Sequence, residues 1–152
     1  MAKAVLALFL IFFSSSCFNQ GDCLITASPY TKIDFYQKKD KTPKIITFSY
    51  VEVFGAGTAY QDSVVSSLLL PVDPNGDTTR FVLHYEDKSD FITVKYSSIT
   101  RIISPECGAF VYYKDLEIVK TSFDETLIRL TNNQLLKDAV NNKYATNLQV
   151  FF

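Results

Sequence analysis

At 152 residues the chain has room for one domain around one core, and a hydrophobic content of 47% sets it apart from disordered sequences. A formal charge of -1, with acids and bases interspersed, gives no electrostatic footing for nucleic acid or an anionic membrane surface. A single His and a single Met argue against a His-rich metal site or a Met-lined groove, whereas 13 Phe and 9 Tyr favour pleated surfaces.

Residues 1–16 read as a signal peptide of the lipoprotein type. Lys3 supplies a positive start, Ala4 to Phe13 (AVLALFLIFF) is apolar and uncharged, and Ser14, Ser15 and Ser16 lead into Cys17. An apolar run of about 10 residues is too short to cross a bilayer, which takes roughly 20, but it suits an export signal. Cys after small residues resembles a lipobox, with Ser14 where Leu is usual, so Cys17 is the expected lipidation site and membrane anchor. The alternative is an ordinary cut nearby that leaves Cys17 a free thiol. Residues 17–29 then form a tether. Its one acid, Asp22, falls short of a dense acidic surface-export signal, so an outer-membrane anchor facing the periplasm is expected.

With Cys17 acylated, Cys23 and Cys107 remain as a pair that an oxidising compartment should join. Closing so long a loop stabilises a fold by roughly 4 kcal/mol on loop entropy alone. No C-x-x-C occurs and no His lies near either Cys, which leaves a redox or metal role with little support.

Residues 30–152 read as a single all-β domain, an antiparallel β-sandwich of immunoglobulin-like or Greek-key type. Ile33 and Phe35 alternate with Lys32, Asp34 and Tyr36; Ile45 to Phe54 is a long β-branched and aromatic run that Gly55 and Gly57 stop. Val64 to Leu70 is almost continuously apolar, as in a strand covered on both faces, and Pro71 ends it. Asp73-Pro74-Asn75-Gly76-Asp77 is a turn, with Asn-Gly suited to positive φ. Phe81, Leu83 and Tyr85 form one face of the next strand, and Asp87 to Asp90 is polar and short enough for a hairpin into Ile92, Val94 and Tyr96. Phe110, Tyr112, Leu116 and Ile118 predict a further strand face, interrupted by Lys114. Leu135, Leu136, Ala139 and Val140 have helical spacing, which predicts one short helix near 133–141. Leu148, Val150 and Phe152 share a face of the last strand, opposite Asn147, Gln149 and Phe151.

Several short motifs, spread over nearly all of the mature chain, carry a resemblance. Cys23, Pro29 and Ile33-Asp34-Phe35-Tyr36 come first; Asp62-Ser63, Leu70-Pro71 and Asp77-Thr78-Thr79 follow; then Tyr96, Ser104-Pro105-Glu106-Cys107-Gly108, and the aromatic close Asn147 to Phe152. In these the chain resembles an uncharacterised lipoprotein family of the Bacteroidota, domain-of-unknown-function family 6452. The resemblance implies an envelope address, the Cys23–Cys107 pairing and a β fold. It implies no catalytic residue.

Other candidate sites are weak. His84 falls on the polar side of its strand, without an oriented partner or a G-x-S-x-G elbow. Asp73, Asn75 and Asp77 copy three EF-hand oxygen positions, but Thr78 replaces the required Gly and His84 the closing Glu. Gly55-Ala56-Gly57 lacks the third Gly and the helix of a phosphate cradle. Tyr112, Tyr113, Tyr50 and Phe54 offer an aromatic platform for a sugar or peptide, or simply core.

The expected function is a non-catalytic binding or scaffolding module, with no cofactor, no metal and no nucleic acid. Its partners are the membrane, through lipid on Cys17, and an envelope protein or glycan. One alternative is an envelope enzyme assembled from scattered carboxylates such as Asp34, Glu52, Asp62 and Glu86. Another is a small outer-membrane β-barrel.

Overall fold

The computed structural model describes residues 30–104, 108–131 and 145–152. Cys17, Cys23 and Cys107, and the helix expected near 133–141, lie outside them. Among the described residues there are nine strands and no helix: β1 (Tyr30–Tyr36), β2 (Ile46–Val53), β3 (Gly57–Val65), β4 (Ser67–Pro71), β5 (Thr78–Tyr85), β6 (Lys88–Ser104), β7 (Gly108–Thr121), β8 (Glu125–Ile128) and β9 (Leu148–Phe151). They make two sheets, β4-β1-β9-β8 and β3-β2-β5-β6-β7, packed face to face as a β-sandwich. Every pairing is antiparallel except β1 with β9, which is parallel and sets the first and last strands side by side.

Alternation decides which side chains enter the core. Thr31, Ile33 and Phe35 of β1, Phe81, Leu83 and Tyr85 of β5, and Ile92, Val94 and Tyr96 of β6 are buried, as period two requires. Aromatic rings close one end of the core. Phe35 meets Phe48 at 5.2 Å, and Phe152 lies edge-on to Phe35, Tyr85 and Phe123 at 5.7, 5.2 and 5.3 Å. Such pairs add about 0.5–1.5 kcal/mol each beyond the area they bury.

The structure departs from the sequence expectations at four places. The run Val64 to Leu70 is not one doubly covered strand: the chain turns the corner between sheets at Ser66, whose carbonyl accepts from Phe35 N, and Val64 stays exposed. On β7 the inward residue is Tyr113, not Tyr112. Asp115 has φ +57° and the pairing with β6 is irregular between Lys95 and Ser97, so the alternation resets before Leu116. The β5–β6 hairpin turns at Glu86-Asp87, with φ of 46° and 57°, so Ser89 and Asp90 already belong to β6. Neither Asn75 nor Gly76 takes positive φ; the turn is instead closed by Asp73, whose Oδ1 accepts from Asn75 N at 2.9 Å. The Gly55-Ala56-Gly57 turn does use positive φ, +88° and +85° at its glycines, and it stops β2 as expected.

The outer-membrane barrel is also set aside. Neither sheet closes on itself, and the space between them is filled by Phe35, Phe48, Phe81 and Leu83 rather than lined by charge.

Three features give the sandwich two different ends. At one, Tyr30 begins β1 opposite Pro71, and β6 and β7 run on past the start of β5 as a two-stranded arm. Tyr113 sits at the base of that arm and ties it to β1: its hydroxyl donates to Tyr30 O at 3.3 Å and accepts from Thr31 Oγ1 at 2.9 Å. At the opposite end are Tyr36, the β5–β6 turn and Phe151.

Candidate functional site

The end remote from Tyr30 holds a cleft of about 370 Å³. The loop after β1 supplies Lys38 and Lys44, the β5–β6 turn supplies Tyr85, Glu86, Lys88 and Asp90, and the β7–β8 corner supplies Ser122 and Asp124. Phe123, Phe151 and Phe152 form the apolar floor. Each segment is placed by the fold for its own reason. The loop after β1 is fixed by Gln37 N donating to Thr42 O at 2.9 Å and by Lys38 N donating to Phe152 O at 2.9 Å. The β7–β8 corner is fixed on β6, because Phe91 N donates to Ser122 Oγ at 2.8 Å.

The polar groups of the cleft are largely bonded to one another. Asp90 accepts from the Tyr85 hydroxyl through one oxygen and from Ser122 Oγ, at 2.6 Å, through the other. Burial, and then the Asp90 carboxylate, push the Tyr85 phenol well above its ordinary value, so it stays a protonated donor. Lys38 pairs with Asp124, and its hydrogen bond and charge hold that carboxyl below the usual range. Lys44 lies over the Phe152 ring at 5.1 Å, and neither Lys44 nor Lys88 has a carboxylate partner among the described residues. Among the described residues, the Lys44 and Lys88 ammonium groups and the Glu86 carboxylate have no ion-pair partner, and they lie beside hydroxyls that Asp90 holds. The Ser122 hydroxyl donates its hydrogen bond to Asp90, and no imidazole lines the cleft.

The structure scatters the other candidates. His84 is on the outer face of its strand, as the pattern predicts, but its cross-strand partner Tyr50 stacks on it at 3.8 Å and leaves it 21% exposed. Its Nε2 lies 3.4 Å from Glu52 Oε2. Asp34 is held by Lys32 and Thr146, and Asp62 is exposed on β3. Of the four carboxylates named for an enzyme, only Glu86 reaches the cleft. Among the described residues, no three His, Cys, Asp or Glu are grouped to hold a metal. The aromatic platform does not form either. Tyr113 is core, Phe54 stands at the β2–β3 turn, and Tyr50 and Tyr112 are on strands separated by β5 and β6, with Tyr50 level with Ser89 of β6 and Tyr112 level with Ile99, roughly 30 Å further along the strand.

A family model described as Family of unknown function (DUF6452) matches residues 50–152. The chain belongs to that family. The match takes in the second half of β2, all of β3 to β9 and every cleft residue except Lys38, Lys44 and Ile46. No curated protein and no solved structure matches.

Sequence reasoning missed the cleft because its residues come from four separated segments with no local motif. The faint signals were Lys38, Lys39, Lys41 and Lys44, crowded into one loop, and the polar stretch Glu86 to Asp90.

Proposed function

We propose that this family member is a lipid-anchored, non-catalytic binding module of the bacterial cell envelope, and that the cleft is its recognition surface. In this reading residues 1–16 are removed on export, Cys17 carries the lipid, and Cys23 and Cys107 join as a disulfide. The anchor sits in the outer membrane of a Bacteroidota-type envelope and the domain faces the periplasm. The observation that carries the binding role is the internal bonding of the cleft. Tyr85, Asp90 and Ser122 are engaged with one another and Asp124 with Lys38, while Lys44, Lys88 and Glu86 are left for a partner. Placement supports it too. The tether enters at Tyr30, and the cleft lies beyond the far end of the 7-residue β1, about 20 Å away, so an anchored domain turns it away from the membrane. The partner is a polar segment of an envelope protein or a glycan.

The test is site-directed photo-crosslinking in native envelopes. A photoreactive residue at Lys88 should capture one partner reproducibly, the same probe at Val64 should not, and Lys44→Glu should abolish the capture. Equal capture at both positions would defeat the proposal. So would turnover of a glycoside or peptide by the purified protein that Asp90→Asn or Glu86→Gln abolishes.

A further inference from the structure

The cleft at the end remote from Tyr30 carries charges of both signs that do not neutralise one another. Lys38 pairs with Asp124, which leaves Lys44, Lys88, Glu86 and Asp90, and none of these four makes an ion pair among the described residues. Two of them are held apart by other contacts. Asp90 engages neutral donors with both carboxylate oxygens, the Tyr85 hydroxyl and Ser122 Oγ, which occupy lone pairs but leave the charge. Lys44 is half-buried, with its ammonium over the Phe152 ring at 5.1 Å. Lys88 stands two residues from Asp90 on β6, about 7 Å along the strand, yet Asp90 turns to Tyr85 and Ser122 instead. Lys44 leads into β2 and Asp90 lies on β6, with β5 between them, so the two charges sit on separate walls.

We infer that the cleft takes a zwitterion: a small molecule, or the end of a short peptide, that carries an ammonium and a carboxylate together. The inference rests on the reading of this cleft as a recognition surface and narrows what it recognises. A phosphate or sulfate would gain Lys44 and Lys88 but meet Glu86 and Asp90, and a polyamine would meet the reverse. Ligands of one sign are therefore opposed at half of the site. A neutral sugar would cover charges of both signs and return a countercharge to neither. A zwitterion answers both. Its carboxylate accepts from Lys44 and Lys88, and its ammonium donates to Glu86 and to the lone pairs that the two hydroxyls leave on Asp90. Size agrees, since a cleft of about 370 Å³ lies at the small end of ligand sites and holds one amino acid or a dipeptide. The floor agrees too, because Phe123, Phe151 and Phe152 give an apolar side chain a surface to cover between the charges.

Saturation-transfer NMR on the full mature chain tests it, with the common amino acids as one source of this chemistry and alanyl-leucine, a peptide with both ends charged, as the other. At least one should bind, and the tighter of the two sources names the ligand. Blocking either charge, as the N-acetyl or the amide derivative, should weaken binding by about tenfold or more, the effect of losing one charge-assisted hydrogen bond. Glu86→Gln and Lys88→Gln, both at exposed positions outside the core, separate the signs. The first should shrink the preference over the N-acetyl form, and the second the preference over the amide. Binding of no zwitterion, blocked forms that bind as tightly, or variants that leave both preferences unchanged would overturn the inference. A partner captured through Lys88 with no zwitterion bound would leave the recognition surface standing and remove this inference alone. With neither zwitterion nor partner, both fall.

Discussion

Tyr113 offers a direct measurement of how the two sheets are tied at the tether end. Replacing it with Phe keeps the ring and removes the hydroxyl that Thr31 and Tyr30 share. Two hydrogen bonds at about 1 kcal/mol each are lost, and an orphaned buried hydroxyl costs about 1 kcal/mol more, which makes roughly 3 kcal/mol. The orphan is Thr31, at 0% exposure. Thr31→Val alone should cost only about 1 kcal/mol, because the Tyr113 hydroxyl retains Tyr30 O. The double variant loses both bonds but strands no hydroxyl, so it should cost about 2 kcal/mol, less than Tyr113→Phe by itself. Urea unfolding of the four proteins, with a common m-value, reads this cycle. Double-variant destabilisation equal to the sum of the singles, about 4 kcal/mol, would refute the shared bond.

Alkaline pH tests the buried phenols. Burial raises Tyr85, Tyr96 and Tyr113 above the ordinary value near 10, so the unfolded chain loses these protons first. Stability that is fully present below pH 10 should fall as pH rises past it, by up to about 1.4 kcal/mol per pH unit for each tyrosine, and Tyr96→Phe should make the fall shallower in urea titrations between pH 8 and 11. At the β5–β6 turn, Asp87 has φ +57°, so Asp87→Gly should raise the urea midpoint by the equivalent of about 0.5–1 kcal/mol. Asn147 is buried, its Oδ1 accepting from Lys32 N at 3.0 Å; Asn147→Ala should cost about 2 kcal/mol by thermal or urea unfolding, against less than about 0.5 for Lys39→Ala. Asp115 also sits at φ +57°, so Asp115→Gly should be tolerated, whereas Asp115→Val should cost about 1–2 kcal/mol in the same assay.

Much of the fold was legible because several strands obey a strict period. Phe81-Leu83-Tyr85 and Ile92-Val94-Tyr96 reveal class, face and pairing partner at once. What stayed hidden lies where backbone geometry overrides side-chain pattern. Asp115 shifts the face of β7, Ser66 folds one apolar run into two strands, and Glu86-Asp87 turn without the glycine that would announce them. The parallel contact of β1 with β9 has no local signature, since it joins residues more than a hundred positions apart. The cleft was hidden for the same reason: Lys44, Tyr85, Ser122 and Phe152 become neighbours only after both corners of the sandwich have formed.

The position of β9 has a consequence for how the molecule is made. It lies between β1 and β8, with every residue from Leu148 to Phe151 paired to one neighbour or both. Until that segment leaves the ribosome, β1 and β8 have no common neighbour and Phe35 lacks the Phe152 ring it packs against. The four-stranded sheet therefore forms late and all together, and a chain cut a few residues short leaves two open strand edges that invite pairing with other molecules.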